Sequence, residues 1–300
     1  MDITLNNLEI HFFTIVINGQ PFIEKHIETF KNLPMKWHWH IVEGIAELKH
    51  DTAWSLAAGG RIPESLHQDG RSIDGTSEYI DQLKMLYPKQ ISVYRKPLGK
   101  LWDGKLEMVN APLRSIKKEC LLWQIDVDEF WTVDQIIVAH QMFEDQPKKF
   151  AAFYWCHYFV GPNLLILTRY GYANNPNFEW QRTWRFKPHF FWAAHEPPTL
   201  VERDFSGKIK PVMNRGVFSH EETEAKGLVF QHFAYVTPSQ LTFKESYYGY
   251  KNALADWQKL QSSQNLPTLL RNYFSWVGDE TLVGEIESVG IKPLLMMDKL

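Results

Sequence analysis

Residues Leu121–Trp131 read LLWQIDVDEFW, and this stretch decides the fold. Its first five residues are mostly apolar and lack helical periodicity, which predicts a fully buried strand. Three acids, Asp126, Asp128 and Glu129, follow at the carboxyl end of that strand, where open α/β sheets bind their ligands. Because Asp126 and Asp128 are two residues apart, an extended chain points both side chains to the same face. Paired carboxylates suit a hard divalent cation, Mg²⁺ or Mn²⁺, of the kind often shared with substrate phosphates.

Acids that follow a strand can instead serve as the N-cap and first turn of the next helix. Here Thr132 and Gln135 already form a predicted capping box for that helix. The acids are therefore not needed as caps, and the pattern favours a metal site at Asp126 and Asp128.

The length and composition set the protein class. With 300 residues, 44% of them hydrophobic, the chain can bury a large core in one domain or in one domain with an extension. The formal net charge of −3 leaves no basic surplus for steering nucleic acid. No nucleic-acid partner is therefore expected.

The cysteines and the apolar segments bear on the cellular compartment. Cys120 and Cys156 lie in apolar surroundings that suit reduced, buried thiols. The N-terminal sequence lacks the pattern of a secretory signal, and the most apolar stretch, Phe150–Thr168, is interrupted by polar residues and predicts no transmembrane helix. We expect a cytoplasmic protein, with peripheral membrane contact left open.

The order of elements predicts an α/β half followed by a different pattern. The strand Ile10–Ile17, helically spaced apolar residues after it and the strand Trp37–Val42 make a right-handed, parallel βαβ unit. The long segment Ala46–Gly75 has little periodicity, which is typical of a functional loop or lid. Further strands are predicted at Ile91–Tyr94, Ala151–Val160, Trp180–Phe186 and Leu228–Val236, and a helix from Thr237 to about Leu260.

His38 and His40 form an HxH pattern on the second strand. Such a pair resembles the first metal ligands of amidohydrolase barrels, but that fold needs eight strand–helix units and further ligands. This chain has about four such units before its pattern changes. Hydrogen-bonded packing of the two histidines is therefore the favoured interpretation.

The strand endings carry a family resemblance. An apolar first strand ending in a polar turn, a second ending in an acid and a fourth ending in Asp126-Val127-Asp128 resemble GT-A glycosyltransferases, particularly family 2-like ones. The resemblance covers about residues 10–135. It implies an α/β fold: a GT-A type nucleotide-binding α/β sandwich with a mixed, mainly parallel sheet and a C-terminal α+β extension. Residues 1–145 would bind the donor and residues 146–300 would form the acceptor side and C-terminal helical extension of one continuous domain.

The resemblance implies roles on the donor side. Asp126 would contact the nucleotide ribose or the metal, and Asp128 would bind the metal that bridges the donor diphosphate. His232 is similar to the third metal ligand placed late in many GT-A chains. Glu43 follows the second strand, where an acid often contacts the nucleobase, and Asn18 would lie near the nucleoside.

The acceptor side departs from the family pattern. Many inverting members supply the catalytic base from an acidic pair on a later loop, and this chain has His195-Glu196 there instead. Glu196 is the predicted base, since a carboxylate can take the proton of an acceptor hydroxyl. Trp180, Trp184 and Trp192 are suited to sugar stacking and are predicted, with His195, to bind the acceptor.

The predicted function is transfer of a sugar, as in a hexosyltransferase, from a nucleotide sugar such as a UDP-sugar to a glycan or other hydroxyl acceptor, with Mn²⁺ or Mg²⁺. One alternative is a carbohydrate- or nucleotide-binding protein without turnover. The other is a metal hydrolase that uses His38 and His40 with Asp126. Metal-dependent transfer or hydrolysis of a labelled nucleotide sugar separates the transferase from the binding protein, and metal analysis of a His38 and His40 double alanine variant addresses the hydrolase.

Overall fold

In the computed structural model, which describes residues 8–169 and 180–295, strands and helices alternate through the first half of the chain. The strands are β1 (Ile10–Val16), β2 (Trp37–Glu43), β3 (Ile91–Tyr94), β4 (Cys120–Gln124), β5 (Glu129–Phe130), β6 (Ala151–Phe153), β7 (Trp155–Tyr158), β8 (Leu164–Ile166), β9 (Gln181–Phe186), β10 (Phe191–Ala194), β11 (Thr199–Arg203), β12 (Ile209–Pro211), β13 (Val217–Phe218), β14 (Val229–His232), β15 (Thr268–Leu269) and β16 (Leu282–Glu285). The α-helices are α1 (Ile23–Phe30), α2 (Trp54–Ala58), α3 (Thr76–Leu86), α4 (Gly104–Asn110), α5 (Val133–Asp145), α6 (His220–Glu224), α7 (Pro238–Phe243) and α8 (Ala253–Gln261).

Within the described residues, the largest sheet has seven strands in the order β13-β6-β9-β4-β1-β2-β3. Strands β4, β1, β2 and β3 run parallel to one another, while β9 runs antiparallel to both β4 and β6. The prediction of an α/β protein with a mixed, mainly parallel sheet is confirmed. Because β6, β9 and β13 come from residues 146–300, the sheet contains strands from both predicted halves of the chain.

The central strands are buried on both faces, which accounts for their continuous apolar sequence. On β1, Phe12 packs in a core with Phe30 of α1 and Phe143 of α5. Its neighbour Phe13 faces the opposite side, in a second core with Trp192. Helices and the small β10-β11-β12 sheet thus cover the two faces of the central sheet.

The predicted helix starts at Thr132 and Thr237 are correct, and the structure has a capping box at each. Thr132 with Gln135 opens α5, and Thr237 with Gln240 opens α7. The prediction of one helix from Thr237 to about Leu260 is wrong, because α7 continues as a π-helical turn and ends at Gly249. Gly249 has a left-handed backbone (φ 74°), and a Cβ there would lie 2.6 Å from the carbonyl oxygen of Ala58 at the end of α2, so glycine suits this helix end.

Two predicted strands are shorter than the sequence pattern indicates. The run Ala151–Val160 divides into β6 and β7, which belong to different sheets, and Leu228–Val236 contains only β14. The residues after β14 leave the sheet to enter the turn before α7. None of the helices in the described ranges is long and apolar enough to cross a membrane.

The segment Ala46–Gly75 is not a structureless loop. It contains α2 and two single-turn 3-10 helices, His50–Thr52 and Glu64–Leu66. Backbone hydrogen bonds tie it to other parts of the fold, including one from Arg61 N to Ser246 O at 2.8 Å. Whether the segment moves on donor binding stays a prediction.

Candidate functional site

A cavity of about 1060 Å³ lies at the carboxyl ends of β1, β2 and β4, with walls contributed by α7 and by the turn after β10. This is the edge of the sheet where the sequence predicts a ligand site. Of the predicted site residues, those that line the cavity are Asn18, Asp126, Asp128, Trp180, His195, Glu196 and His232. The remaining three, Glu43, Trp184 and Trp192, lie elsewhere.

Strand pairing brings Asp128 and His232 together across more than a hundred residues of sequence. Strand β14 pairs with β5 so that His232 is opposite Glu129, and the next residue, Phe233, donates its backbone N–H to the carbonyl of Asp128 at 2.8 Å. Nε2 of His232 consequently lies 3.4 Å from Oδ1 of Asp128. Two of the three predicted metal ligands are therefore neighbours.

Gln240 holds the Asp128 carboxylate from the other side. Its Nε2 donates to Oδ2 of Asp128 at 2.9 Å and to the carbonyl of Phe233 at 2.6 Å. Its Oε1 accepts the backbone N–H groups of Val236 and Thr237. One capping side chain of α7 thus completes the helix start and also fixes the orientation of Asp128.

Asp126 and Glu129 share the guanidinium of Arg182. Nη2 of Arg182 lies 2.5 Å from Oε1 of Glu129 and 3.5 Å from Oδ2 of Asp126, and both Arg182 and Glu129 are buried. Burial raises the pKa of Asp126, but Arg182, His195 and His232 together outweigh that effect, so the pKa is lowered. Asp126 therefore stays ionised at the cavity wall.

The predicted donor set suits a divalent ion chemically. Asp126 and Asp128 supply carboxylate oxygens and His232 an imidazole nitrogen, ligands that Mn²⁺ accepts. His232 is buried, and its Nδ1 has no hydrogen-bond partner in residues 8–169 and 180–295, which leaves the ring's interactions incomplete. No group of three or more His, Cys, Asp or Glu within those residues is close enough to hold a metal as the side chains stand.

On the acceptor side, Asp51 positions the turn that carries His195 and Glu196. Oδ2 of Asp51 accepts both backbone N–H groups, at 2.5 Å from His195 and 2.9 Å from Glu196. His195 is 9% exposed, and neither ring nitrogen has a hydrogen-bond partner in the part of the chain that the structure describes. Burial and the nearby Lys105 lower the pKa of His195. A neutral imidazole thus faces the cavity beside an exposed carboxylate.

The three predicted acceptor tryptophans lie in different places. Trp180 lines the cavity, with its ring edge-on to His232 at 5.6 Å. Trp184 and Trp192 are 0% and 2% exposed and pack against each other in the core, with ring centroids 4.7 Å apart. Trp184 lies on β9 of the central sheet and Trp192 on β10 of the small sheet, so these two rings fill the core between the sheets and are not placed to stack on a sugar.

Glu43 and Asn18 both hold the segment Ala46–Gly75 in place. Glu43 is fully buried and accepts from Nε of Arg95 at 2.6 Å and from the backbone N–H of Ser72 at 3.2 Å. The Asn18 amide donates to the carbonyl of Leu66 and accepts from the N–H of Ile73, both at 2.8 Å. The Glu43 carboxylate is thus hydrogen-bonded away from the cavity. Asn18 lines the cavity and also ties the segment Ala46–Gly75 to the end of β1.

His38 and His40 lie with His11 in a cluster that does not line the cavity. Nε2 of His40 is 2.9 Å from Nδ1 of His11, and its Nδ1 is 2.9 Å from the hydroxyl of Tyr94. Nε2 of His38 is 2.9 Å from the hydroxyl of Ser92. The geometry matches the favoured interpretation of hydrogen-bonded packing.

Sequence reasoning missed several polar side chains around the cavity. Arg182 and Gln240 were visible only as a basic residue in an aromatic strand and as a helix cap, and their contacts with the acids depend on tertiary pairing. Lys105 lies beside the turn before α4 and Lys244 lies in a helical segment, and at such positions lysine is ordinarily a solvated residue. The missed residues are Asp51, Lys105, Arg182, Gln240 and Lys244.

Several solved structures are similar to this chain. The mannosyltransferase PcManGT from Pyrobaculum calidifontis, in complex with GDP-Man and Mn²⁺, shares 13% identity with a TM-score of 0.37, covering 59% of this chain and 44% of that chain. Residues 1–349 of S. aureus TarS share 9% identity with a TM-score of 0.38, covering 59% and 47%. The same portion of TarS in complex with UDP-GlcNAc shares 10% identity with a TM-score of 0.37, covering 59% and 45%.

Each of these three alignments spans less than half of the neighbour's own chain. TM-scores below 0.5 carry no argument about function. No model of a known protein family matches the sequence, and no curated protein matches it significantly. The function is therefore inferred from the cavity and its side chains.

Proposed function

We propose that this protein is a GT-A type glycosyltransferase that moves a sugar from a nucleotide sugar to a hydroxyl acceptor and depends on Mn²⁺ or Mg²⁺. One observation carries the proposal. Asp126, Asp128, His232 and Glu196, which are far apart in sequence, line a single cavity at the carboxyl edge of a mainly parallel sheet. Such a reaction needs carboxylates that bind a divalent cation and a separate carboxylate that accepts a proton.

The donor is proposed to lie along the ends of β1 and β4. Asn18 and Asp126 would contact the nucleoside, with a UDP-sugar as the first candidate and a hexose as the transferred group. The role first expected of Glu43 is not part of this proposal, since its carboxylate is fully buried and bound by Arg95.

Asp126, Asp128 and His232 are the proposed metal ligands. A bound divalent ion would neutralise the negative charge that develops on the diphosphate leaving group. Gln240 keeps Asp128 oriented, and Arg182 keeps Asp126 ionised. These two contacts let the acids present charged oxygens in an enclosed site.

Glu196 is the proposed base. As the acceptor oxygen bonds to the anomeric carbon and the bond from that carbon to the diphosphate breaks, the Glu196 carboxylate takes the proton of the acceptor hydroxyl. Asp51 fixes the backbone of Glu196 by accepting a hydrogen bond from the backbone N–H group of Glu196. Trp180 and His195 are the proposed acceptor contacts, because both line the same cavity.

The test is a screen of UDP- and GDP-sugars with Mn²⁺, in which thermal shift reports binding and release of nucleoside diphosphate reports turnover. The proposal predicts that one donor class raises the melting temperature and is consumed faster when a glycan acceptor is added. Binding without turnover, for any acceptor tried, would instead favour the non-catalytic binding protein. Failure of every nucleotide sugar to bind the folded protein would contradict both.

A further inference from the structure

Two lysines enter the cavity from separate elements and meet at one tyrosine. Lys105 lies in the first turn of α4, and Lys244 begins the π-helical turn Lys244–Tyr248. Nζ of Lys105 donates to the Tyr248 hydroxyl at 2.5 Å and lies 4.9 Å from the ring centroid, while Nζ of Lys244 lies 5.9 Å from the same centroid. Both lysines line the cavity.

Neither lysine has a carboxylate within ion-pair distance among residues 8–169 and 180–295. Lys244 is instead placed over the Tyr235 ring, 4.6 Å from its centroid. The interaction of a cation with an aromatic face offsets only part of the hydration free energy that an ammonium group loses when it leaves water. Two partly enclosed cations therefore share one wall without full neutralisation.

The charges of the two lysines also act on each other. Burial lowers the pKa of Lys244, and Lys105 adds to that lowering against the opposing charge of Asp128. Burial likewise lowers the pKa of Lys105, but Tyr248 and Glu196 together outweigh it, so this pKa is raised and the group stays protonated. An anion bound between the two ammonium groups would relieve the repulsion between them.

We infer that Lys105 and Lys244 form a diphosphate-binding site that does not require the divalent ion. A diphosphate carries several negative charges on neighbouring phosphoryl groups, which matches two ammonium groups that approach from different elements. A single carboxylate, with one negative charge, could neutralise only one of the two ammonium groups. This site lies in the cavity that also holds Asp126 and Asp128.

Under the proposed function, on which the identity of the physiological ligand rests, the diphosphate is that of the nucleotide sugar. Lys105 and Lys244 would then bind the leaving group together with the ion held by the acids. Ammonium groups already in position stabilise the charge that develops there at little cost in reorganisation. Nucleoside diphosphate should accordingly bind in the absence of metal, with lower affinity than in its presence.

The experiment is calorimetric titration with inorganic pyrophosphate in EDTA, on the full chain. We expect saturable binding to the wild type that weakens as salt is raised. Lys105→Met and Lys244→Met should each lower the affinity about 10–100-fold, the usual worth of a charge-assisted hydrogen bond. The matched control is Lys251→Met, since Lys251 is exposed and does not line the cavity.

Charge-conserving variants keep the test decisive if a methionine variant does not fold. Lys105→Arg and Lys244→Arg retain the cation and should bind pyrophosphate within a few-fold of wild type. The inference is overturned if pyrophosphate does not bind the wild type without metal, or binds the folded Lys105→Met/Lys244→Met double variant equally well.

The two proposals fail separately. If pyrophosphate binds without metal in a way that depends on Lys105 and Lys244, but no nucleotide sugar is turned over, the lysine site is supported and the transferase proposal is contradicted. If the protein turns over a nucleotide sugar but binds no pyrophosphate in EDTA, the transferase proposal is supported and the lysine site is contradicted.

Discussion

Gln240 donates a hydrogen bond from Nε2 to Oδ2 of Asp128 across 2.9 Å. The same side chain caps α7, so the orientation of Asp128 depends on how that helix begins. His232, at the end of β14, approaches the other carboxylate oxygen to 3.4 Å. Asp128 is thus held between two elements from the second half of the chain.

Asp128→Asn should abolish most of the divalent-dependent binding of nucleoside diphosphate while the fold survives. The amide keeps the volume and an oxygen that can still accept from Gln240, but it removes the charge that a cation needs. Loss of a charge-assisted contact predicts an affinity about 10–100-fold lower in Mn²⁺ by calorimetry. The control is Asp134→Asn, an exposed position in the first turn of α5. An unchanged affinity for Asp128→Asn would remove this residue from the metal site.

Glu196→Gln should lower kcat by about 10²–10⁴-fold, the usual worth of a positioned general base. The KM for the donor should stay near the wild-type value, because Glu196 is proposed to act on the acceptor hydroxyl. Glu78→Gln, at an exposed position outside the cavity, serves as the matched control. Near-normal turnover in a Glu196→Gln protein with an unaltered melting temperature would exclude the base role.

Arg182→Met should destabilise the fold by about 3–5 kcal/mol, because it leaves the buried Glu129 carboxylate without its partner. Arg271→Met, which breaks the exposed ion pair with Glu280, should cost about 1 kcal/mol or less. The free energy of unfolding from urea denaturation measures both. Equal losses in the two variants would show that the Arg182–Glu129 pair contributes no more than a surface pair.

Stability should fall as the pH drops from about 6.5 towards 4 because of the cluster formed by His11, His38 and His40. Burial, with smaller contributions from neighbouring cations, lowers the pKa of each, that of His11 to about 4. The histidines of the unfolded chain bind protons at higher pH than those of the folded chain. The stability that the neutral cluster contributes is therefore fully present above the unfolded-state pKa of about 6.5 and is lost as the pH falls below it.

The variant that tests this pH dependence is His11→Gln, which removes one titrating group and keeps an amide near His40. Melting temperatures measured in steps between about pH 7.5 and about pH 5 should fall less steeply for this variant than for the wild type. His189→Gln, at an exposed histidine, should retain the wild-type slope. Identical slopes for His11→Gln and the wild type would contradict the prediction.

The donor half was accessible from sequence because its information is local. The apolar runs that become β1, β2 and β4 follow from β-branched and aromatic composition, and the capping box at Thr132 and Gln135 depends on residues three apart. The acids at the end of β4 could be placed at the edge of the sheet once that strand was predicted. Local patterns of this kind survive tertiary packing.

The acceptor half depends on contacts that no local pattern encodes. Trp184 and Trp192 occur in aromatic-rich sequence that suits either a sugar-binding surface or a core, and packing between the central sheet and β10 selects burial. The turn at His195 is fixed by Asp51 from a distant segment. Lys105 and Lys244 are far apart in sequence, and no local pattern relates them. The packing of α4 near the π-helical turn brings both to Tyr248.

The most direct test of the central claim is release of nucleoside diphosphate from a labelled nucleotide sugar, with incorporation of the label into an acceptor, in Mn²⁺. The account predicts that the wild type and Asp134→Asn transfer the label, that EDTA lowers the rate, and that Asp128→Asn loses transfer while its melting temperature is retained. Transfer that is undiminished in Asp128→Asn, or no transfer from any nucleotide sugar by a folded wild type, would contradict it.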